Sequence, residues 1–71
     1  MKIPNVAQAI KRLREERKWS QVELARRSGL TQSALSQIEA GKGVPSLQTM
    51  AALSDAFGIS VAALLSVPEA S

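Results

Sequence analysis

The sequence predicts an all-α domain of five short helices, and three observations lead to this prediction. Residues that favour helix N-caps recur along the chain, each followed by apolar residues at helical spacing. Glycines that suit helix C-caps follow several of these segments. Asn-Gly and Asp-Gly hairpin turns are absent, and β-branched runs are few. The 71 residues are predicted to form a single domain, 1–71.

The caps and glycines place the helices in order along the chain. We expect helices at about 5–17, 20–28, 31–40, 46–57 and 60–66, with N-caps at Asn5, Ser20, Thr31, Ser46 and Ser60. Glu23 completes the pattern of a capping box with Ser20. Gly29, Gly41 and Gly58 are expected to end helices, because glycine adopts the left-handed C-cap conformation at little cost.

Each helix carries an apolar stripe that we expect to face a common core. The stripes consist of Val6, Ile10 and Leu13; Leu24, Ala25 and Ser28; Ala34, Leu35 and Ile38; Leu47, Met50, Ala51, Leu53, Ala56 and Phe57; and Val61, Leu64 and Leu65. A domain of this size buries only about 60 % of the surface that its unfolded chain exposes. Contacts with a partner subunit would therefore add to its stability.

Composition excludes several kinds of site. The chain has no cysteine and no histidine, which excludes disulfides, the usual zinc sites, and serine–histidine or cysteine–histidine nucleophiles. We therefore expect no catalytic residue, metal or cofactor, and no enzyme. The longest apolar run, Val61 to Leu65, is far shorter than the about 20 residues of a membrane span. The N-terminus also lacks the apolar segment of a signal peptide, so we expect a cytoplasmic protein without membrane contact.

Charge is divided unevenly between the two ends of the chain. Residues 1–42 hold nine bases and four acids, a net +5, whereas residues 43–71 hold two acids and no base, a net −2. The basic part suggests a polyanion such as nucleic acid as partner, and the apolar part suggests core or subunit contacts. A basic run such as 11–18 also occurs on ordinary solvated helix faces, and charge alone favours that plainer explanation.

The third helix has an unusual outward face. At about 100° per residue, Gln32, Ser33, Ser36 and Gln37 fall on the side opposite to its apolar stripe. A surface helix usually carries Lys and Glu at such positions, whereas these side chains are polar and uncharged. A glutamine amide matches the N6 donor and N7 acceptor of adenine, and serine donates or accepts at several bases. The face therefore suits the recognition of base edges, and plain solvated polar residues are the alternative.

The link between the second and third helices is the tight turn Gly29-Leu30, and Ala25 is small enough for close packing. With these helices the chain resembles the lambda-repressor and Cro class of helix-turn-helix regulators, the XRE family. The resemblance covers about residues 6–66 and rests on Leu13-Arg14, Trp19 to Ala25, Ser28 to Gly41, Pro45 to Leu53, Phe57 to Val61, and Leu64-Leu65. It implies a compact five-helix DNA-binding domain with the helix-turn-helix at about 21–40 and a tail at 67–71.

The resemblance also implies roles for individual residues. The third helix would enter the major groove, so that its outward face would contact bases. Gln21, Lys42 and the backbone N–H of Gly43 would bind phosphates; a solvated loop lysine is the alternative for Lys42. The N-terminus of the second helix supports this role of Gln21, because its free N–H groups and dipole attract anions. Arg14 and Glu39 would form a structural salt bridge between the first and third helices.

Four further residues outside the candidate DNA contacts are interpreted from the sequence. Lys18 stands where many relatives have a glycine, so it must turn the chain at some backbone cost. Trp19 is interpreted as a partly exposed cover over the turn between the first two helices, not as a base-stacking residue. Arg26 and Arg27 suit the C-terminus of the second helix electrostatically.

Finally, the resemblance implies a symmetric dimer on double-stranded DNA, whose half-sites would lie about 34–36 Å apart. Ile59, Ala62, Ala63 and Val67 are the candidate interface. The function implied is a homodimeric transcriptional regulator that represses by covering promoter DNA, and activation stays open because restriction–modification controllers share this layout. The alternative is a function that depends on a co-encoded protein, as in an antitoxin. Antitoxins often carry an extra segment after the domain, and only 67–71 follow here, so we rank it lower.

Overall fold

The computed structural model describes residues 6–66, which form five α-helices and their connections. The helices are α1 (Val6–Glu16), α2 (Gln21–Ser28), α3 (Gln32–Glu39), α4 (Leu47–Phe57) and α5 (Val61–Leu65). The all-α prediction is confirmed, and each predicted boundary differs from the observed one by at most one residue. The predicted N-cap Asn5 and the predicted tail 67–71 lie outside the described residues.

Side-chain caps begin four of the helices at the predicted positions. These caps are Ser20, Thr31, Ser46 and Ser60. Each cap residue is extended, and its hydroxyl accepts the backbone N–H three residues later at 3.0 or 3.1 Å. The predicted capping box forms only its first half, because the Glu23 carboxylate pairs with Arg26 and Arg27. Hydrogen bonding from Arg26 is the main cause that lowers the pKa of Glu23.

The turn that ends α1 places a lysine in the left-handed region. Lys18 has a φ of 57°, and within residues 6–66 it alone among non-glycine residues has a positive φ. The N–H groups of Lys18 and Trp19 donate to the carbonyls of Glu15 and Arg14 at 3.0 and 3.1 Å. This is a Schellman arrangement, which usually places glycine where Lys18 stands. The fold therefore contains the backbone strain expected from the sequence.

Replacing Lys18 by glycine is expected to stabilise the fold by about 1 kcal/mol, because an L-residue is disfavoured in this conformation by roughly 1–2 kcal/mol. Urea unfolding followed by Trp19 fluorescence measures the difference. Gly29→Ala is the matched control: Gly29 has a φ of 77° and an added Cβ would meet no atom within 4 Å. Only backbone strain then acts, and stability should fall. An unchanged midpoint for Lys18→Gly would show that the α1–α2 turn is unstrained.

One cluster of buried side chains holds the five helices together. Its members are Ala9 and Ile10 of α1, Leu24 and Ala25 of α2, Leu35 of α3, Leu53 and Phe57 of α4, and Leu64 of α5. Helix α1 packs against α3, α4 and α5, while α2 packs against α3 and α4. Both α2 and α3 are thus fixed by burial against the rest of the domain.

Helix α4 departs from its predicted stripe at two positions. The prediction that Leu47 and Ala51 face the core is wrong, because Leu47 is 70 % exposed and Ala51 is also exposed. The fully buried residues of α4 lie in its second half, and in its first turn Met50 packs against the core while Leu47 stays exposed. At about 100° per residue, Ala51 lies about 120° away from Phe57. Ser54, absent from the predicted stripe, is instead buried at 2 % exposure.

The Ser54 hydroxyl provides a second stability prediction. Within residues 6–66 it is a buried side-chain oxygen without a hydrogen-bond partner, which costs about 1–3 kcal/mol. Ser54→Ala is therefore expected to stabilise the fold by about 1 kcal/mol, raising Tm by roughly 4–8 °C in a thermal melt. Ser28→Ala is the control, since the Ser28 hydroxyl donates to the Leu24 carbonyl at 2.8 Å and its loss brings no such gain. A lower Tm for Ser54→Ala would contradict the prediction.

Trp19 packs over the turn between α1 and α2. Its ring stacks on Phe57 with centroids 5.9 Å apart, and the Arg27 guanidinium lies 4.3 Å from the Trp19 ring centroid. Arg17 lies beside both rings and donates to the Phe57 carbonyl at 2.9 Å. The indole thus joins the α1–α2 turn to the end of α4, which agrees with its interpretation as a structural cover.

Candidate nucleic-acid interface

Helices α2 and α3 pack against each other across a short turn. Gly29 has a φ of 77°, and its N–H donates to the Ala25 carbonyl at 2.9 Å, which closes α2. Leu30 packs against the core, and Thr31 caps α3. Ala25 is 6 % exposed, so its small side chain lies within the packed interior. The two helices form a helix-turn-helix unit whose second helix has one face free.

The free face of α3 carries the four predicted base-contacting residues. Gln32, Ser33, Ser36 and Gln37 are all exposed, whereas Leu35 on the opposite side is fully buried. The only ionisable side chain of α3 is Glu39, and it is 3 % exposed. The accessible surface of α3 is therefore polar and uncharged, and it offers amide and hydroxyl groups to a ligand.

The predicted phosphate-binding residues lie at one end of α3. Gln21 is the first residue of α2, and its Nε2 donates to Glu39 Oε1 at 3.2 Å. Lys42 follows Glu39 by three residues and is exposed, as is Gly43, which has a φ of 82°. The Lys42 backbone N–H closes α3 by donating to the Gln37 carbonyl at 3.0 Å. The structure thus brings the start of α2 and the loop after α3 to the same end of the unit.

The Arg14–Glu39 pair implied by the resemblance is present and largely buried. Arg14 Nε lies 2.8 Å from Glu39 Oε2, and Arg14 Nη2 lies 3.0 Å from Glu39 Oε1. Arg14 Nη1 also donates to the Trp19 carbonyl at 2.8 Å. The two side chains are 13 % and 3 % exposed, and the hydrogen bond to Glu39 is the main cause that raises the pKa of Arg14. The pair ties α1 to the end of α3.

Two groups of contacts at this site were not expected from the sequence. The hydrogen bond from Gln21 to Glu39 joins residues 18 positions apart, and no periodicity relates them. Arg26 and Arg27 both pair with Glu23 rather than only with the end of α2. These two ion pairs could have been predicted, because residues three and four positions apart lie on one face of a helix.

The predicted dimer residues are only partly available to a partner. Ala62 and Ala63 are exposed on α5, but Ile59 packs against the core of its own chain. Val67 lies outside the described residues. Leu65, predicted to face the core, is 37 % exposed on the same short helix as Ala62 and Ala63. The exposed apolar residues at this end are therefore Ala62, Ala63 and Leu65 of α5, whereas Ile59 is partly buried against the core.

Two other kinds of feature are absent from residues 6–66. None of the helices between residues 6 and 66 is long and apolar enough to cross a membrane. Within the same range, no group of three or more acidic residues is placed to hold a metal ion.

Comparisons with known proteins place this unit in a family. The helix-turn-helix family model HTH_3 matches residues 10–64. The immunity repressor protein of Bacillus phage phi105 is 45 % identical over 60 residues, which cover 84 % of this chain and 42 % of the repressor. The chain spans 42 % and 31 % of the lengths of the two curated relatives that it matches.

Solved structures extend these matches. One similar structure is that of SinR, described as the master regulator for biofilm formation, in complex with DNA. The TM-score is 0.78 at 38 % identity, and the match covers 84 % of this chain and 97 % of that one. SinR in complex with SinI gives 0.80 at 36 % identity, covering 87 % and 61 %. The restriction–modification controller C.AhdI from Aeromonas hydrophila gives 0.80 at 31 % identity, covering 87 % and 94 %. The resemblance to the lambda-repressor and Cro class is thereby confirmed, and the chain belongs to the helix-turn-helix (HTH_3) family of DNA-binding transcription regulators, which is not an enzyme family.

Proposed function

We propose that this chain is a sequence-specific regulator of transcription that binds double-stranded DNA as a homodimer in the cytoplasm. The exposed, uncharged polar face of α3 is the observation that carries the proposal. Because Leu35 anchors the opposite side of α3, the helix presents this face as a rigid unit. Gln32, Ser33, Ser36 and Gln37 then contact base edges in the major groove.

Phosphate contacts set the orientation of α3 in the groove. Gln21, Lys42 and Gly43 are assigned to them, because they lie at one end of α3 and include a helix N-terminus and an exposed cation. The excess of bases in residues 1–42 adds a long-range attraction for DNA. These contacts supply affinity for any sequence, and α3 supplies the choice among sequences.

Dimerisation would supply the affinity that one short helix lacks. Ala62 and Ala63 are exposed on α5 and would meet their counterparts in a second copy, and Ile59 and Val67 are assigned to the same interface. A twofold pairing of this end spaces two α3 helices for half-sites about 34–36 Å apart on an inverted repeat. The dimer represses by covering promoter DNA that polymerase needs.

The test is to select genomic DNA fragments with the purified protein at about 150 mM salt and sequence them. Recovery of an inverted repeat with half-sites one helical turn apart supports the proposal and identifies the regulated genes. Retention that is weak, salt-sensitive and independent of sequence would contradict it.

A second function depends on a protein partner. SinR occurs with SinI, and C.AhdI is a restriction–modification controller of which this chain covers 94 %. A co-encoded protein would then control operator binding by this chain, as in a restriction–modification or toxin–antitoxin pair. Gel filtration after mixing with the products of adjacent genes tests this function. A stable complex that alters operator affinity supports it, and separate elution contradicts it.

Substitutions should separate base contacts from phosphate contacts. Gln32→Ala or Gln37→Ala is expected to cost about 1–3 kcal/mol on the best site and to relax base preference there. Lys42→Ala is the control: it should weaken all sequences alike and lower the salt slope by about 1. Site selection with each variant measures both effects. Unchanged base preference in the glutamine variants would exclude them from base contacts.

A further inference from the structure

The carboxylate of Glu39 accepts hydrogen bonds from side chains of two other helices. Its Oε2 accepts from Arg14 Nε at 2.8 Å, and its Oε1 accepts from Arg14 Nη2 at 3.0 Å and from Gln21 Nε2 at 3.2 Å. The bidentate pair with Arg14 is complete without Gln21. The hydrogen bond to Gln21 is therefore an addition that tying α1 to α3 does not require.

The chemistry of this bond fixes the orientation of the Gln21 amide. An ionised carboxylate only accepts hydrogen bonds, so the amide must turn its NH₂ group, and not its carbonyl, toward Glu39. One N–H is used there and the second remains. A DNA phosphate also only accepts, so an amide free to rotate would present its carbonyl to the phosphate part of the time. The contact with Glu39 removes that repulsive orientation.

We propose that Glu39 is a positioning residue that, through Gln21, holds an amide N–H ready for a DNA phosphate at the start of α2. This inference rests on the proposed DNA binding. The location favours a phosphate independently, because the N–H groups of Gln21 and Val22 in the first turn of α2 have no acceptor within the helix, whereas that of Glu23 donates to the Ser20 hydroxyl. Glu39 can orient the Gln21 amide without repelling the phosphate, because Arg14 at 2.8 Å balances its negative charge. The Glu39 side chain is also only 3 % exposed.

A double-mutant cycle tests the proposal. Binding to a fluorescent duplex of unrelated sequence is measured by anisotropy for wild type, Gln21→Ala, Glu39→Gln and the double variant, all at a temperature where each is folded. Each single substitution should weaken binding about three- to tenfold, the range expected for one hydrogen bond. The double variant should bind no more weakly than Gln21→Ala. The matched control is Glu39→Gln with Lys42→Ala, where the two losses should multiply because Lys42 makes no contact through Glu39.

The outcomes are distinguishable. If Glu39→Gln weakens binding equally with and without Gln21, then Glu39 acts only through the fold and the proposal is overturned. If wild type binds the duplex and Gln21→Ala binds as tightly, the proposal also fails, while the proposed DNA binding stands. If wild type binds no duplex, the proposed function fails as well.

Nuclear magnetic resonance of the wild-type protein gives a test that does not require Glu39→Gln to fold. The Gln21 side-chain NH₂ signals are assigned by their loss in Gln21→Ala. One proton should resonate at lower field than those of the exposed Gln37, because a carboxylate already binds it, and the second should shift only when duplex is added. Free-protein signals that coincide with those of Gln37 would overturn the proposal.

Discussion

Arg14→Met is expected to destabilise the fold by about 3–5 kcal/mol, the largest effect among the substitutions considered. Methionine fills much of the volume of the arginine stem but leaves the Glu39 carboxylate, 3 % exposed, without its cation. The Trp19 carbonyl also loses the donor that lies 2.8 Å away. A domain of 71 residues has a total stability of roughly 5–10 kcal/mol, so much of it would be lost. Urea unfolding followed by circular dichroism measures the change.

Two further variants show whether the missing charge partner is the cause. Arg26→Met removes an arginine that is 69 % exposed and pairs with Glu23 on the surface of α2, so stability should change by less than about 1 kcal/mol. Arg14→Met combined with Glu39→Leu leaves no unpaired charge and should recover a large part of the loss. A loss below 1 kcal/mol in Arg14→Met would mean that solvent reaches Glu39 readily.

Leu35→Ala is expected to destabilise the fold by about 3 kcal/mol, within the range of roughly 2–5 kcal/mol for leucine in a packed core. Leu35 is fully buried and is the one residue of α3 in the core cluster. Its truncation should loosen α3 as well, so under the proposed function operator affinity should fall at temperatures where the variant is still folded. Thermal melts and anisotropy measure the two effects. Val44→Ala, at a position 86 % exposed, is the control and should change neither by much.

A result in which Leu35→Ala lowers stability but leaves operator affinity intact would contradict the anchoring role. It would mean that α3 keeps its orientation through its turn, its cap and the Arg14–Glu39 pair alone.

The helices could be predicted closely because their limits are set by local contacts. Ser20, Thr31, Ser46 and Ser60 each bond a backbone group only three residues away, so the sequence around each cap contains the whole interaction. The exposed face of α3 is local in the same sense, since helical periodicity alone separates Leu35 from Gln32.

Positions that depend on neighbouring helices were less predictable. Periodicity assigns Leu47 to a stripe but does not show that its side chain is left 70 % exposed. Ser54 occupies a core position although its chemistry argues against burial, and Ala9 is buried without belonging to the predicted stripe of α1.

Contacts within the candidate site follow the same division. Glu39 hydrogen-bonds to Arg14 and Gln21, which are 25 and 18 residues away in the sequence. Helical periodicity does not predict contacts between residues this far apart. The first was expected only through the resemblance to a family, and the second was not expected. Ile59 is partly buried against the core of its own chain, a contact that its place beside α5 does not predict.

The free face of α3 has a consequence for how such a regulator can diverge. Gln32, Ser33, Ser36 and Gln37 lie outside the core cluster, the N-caps and the ion pairs. Exchanges among polar residues at these four positions should therefore leave the folding free energy nearly unchanged. Under the proposed function, a gene duplicate could acquire a new operator through a few such exchanges, without passing through an unfolded intermediate protein.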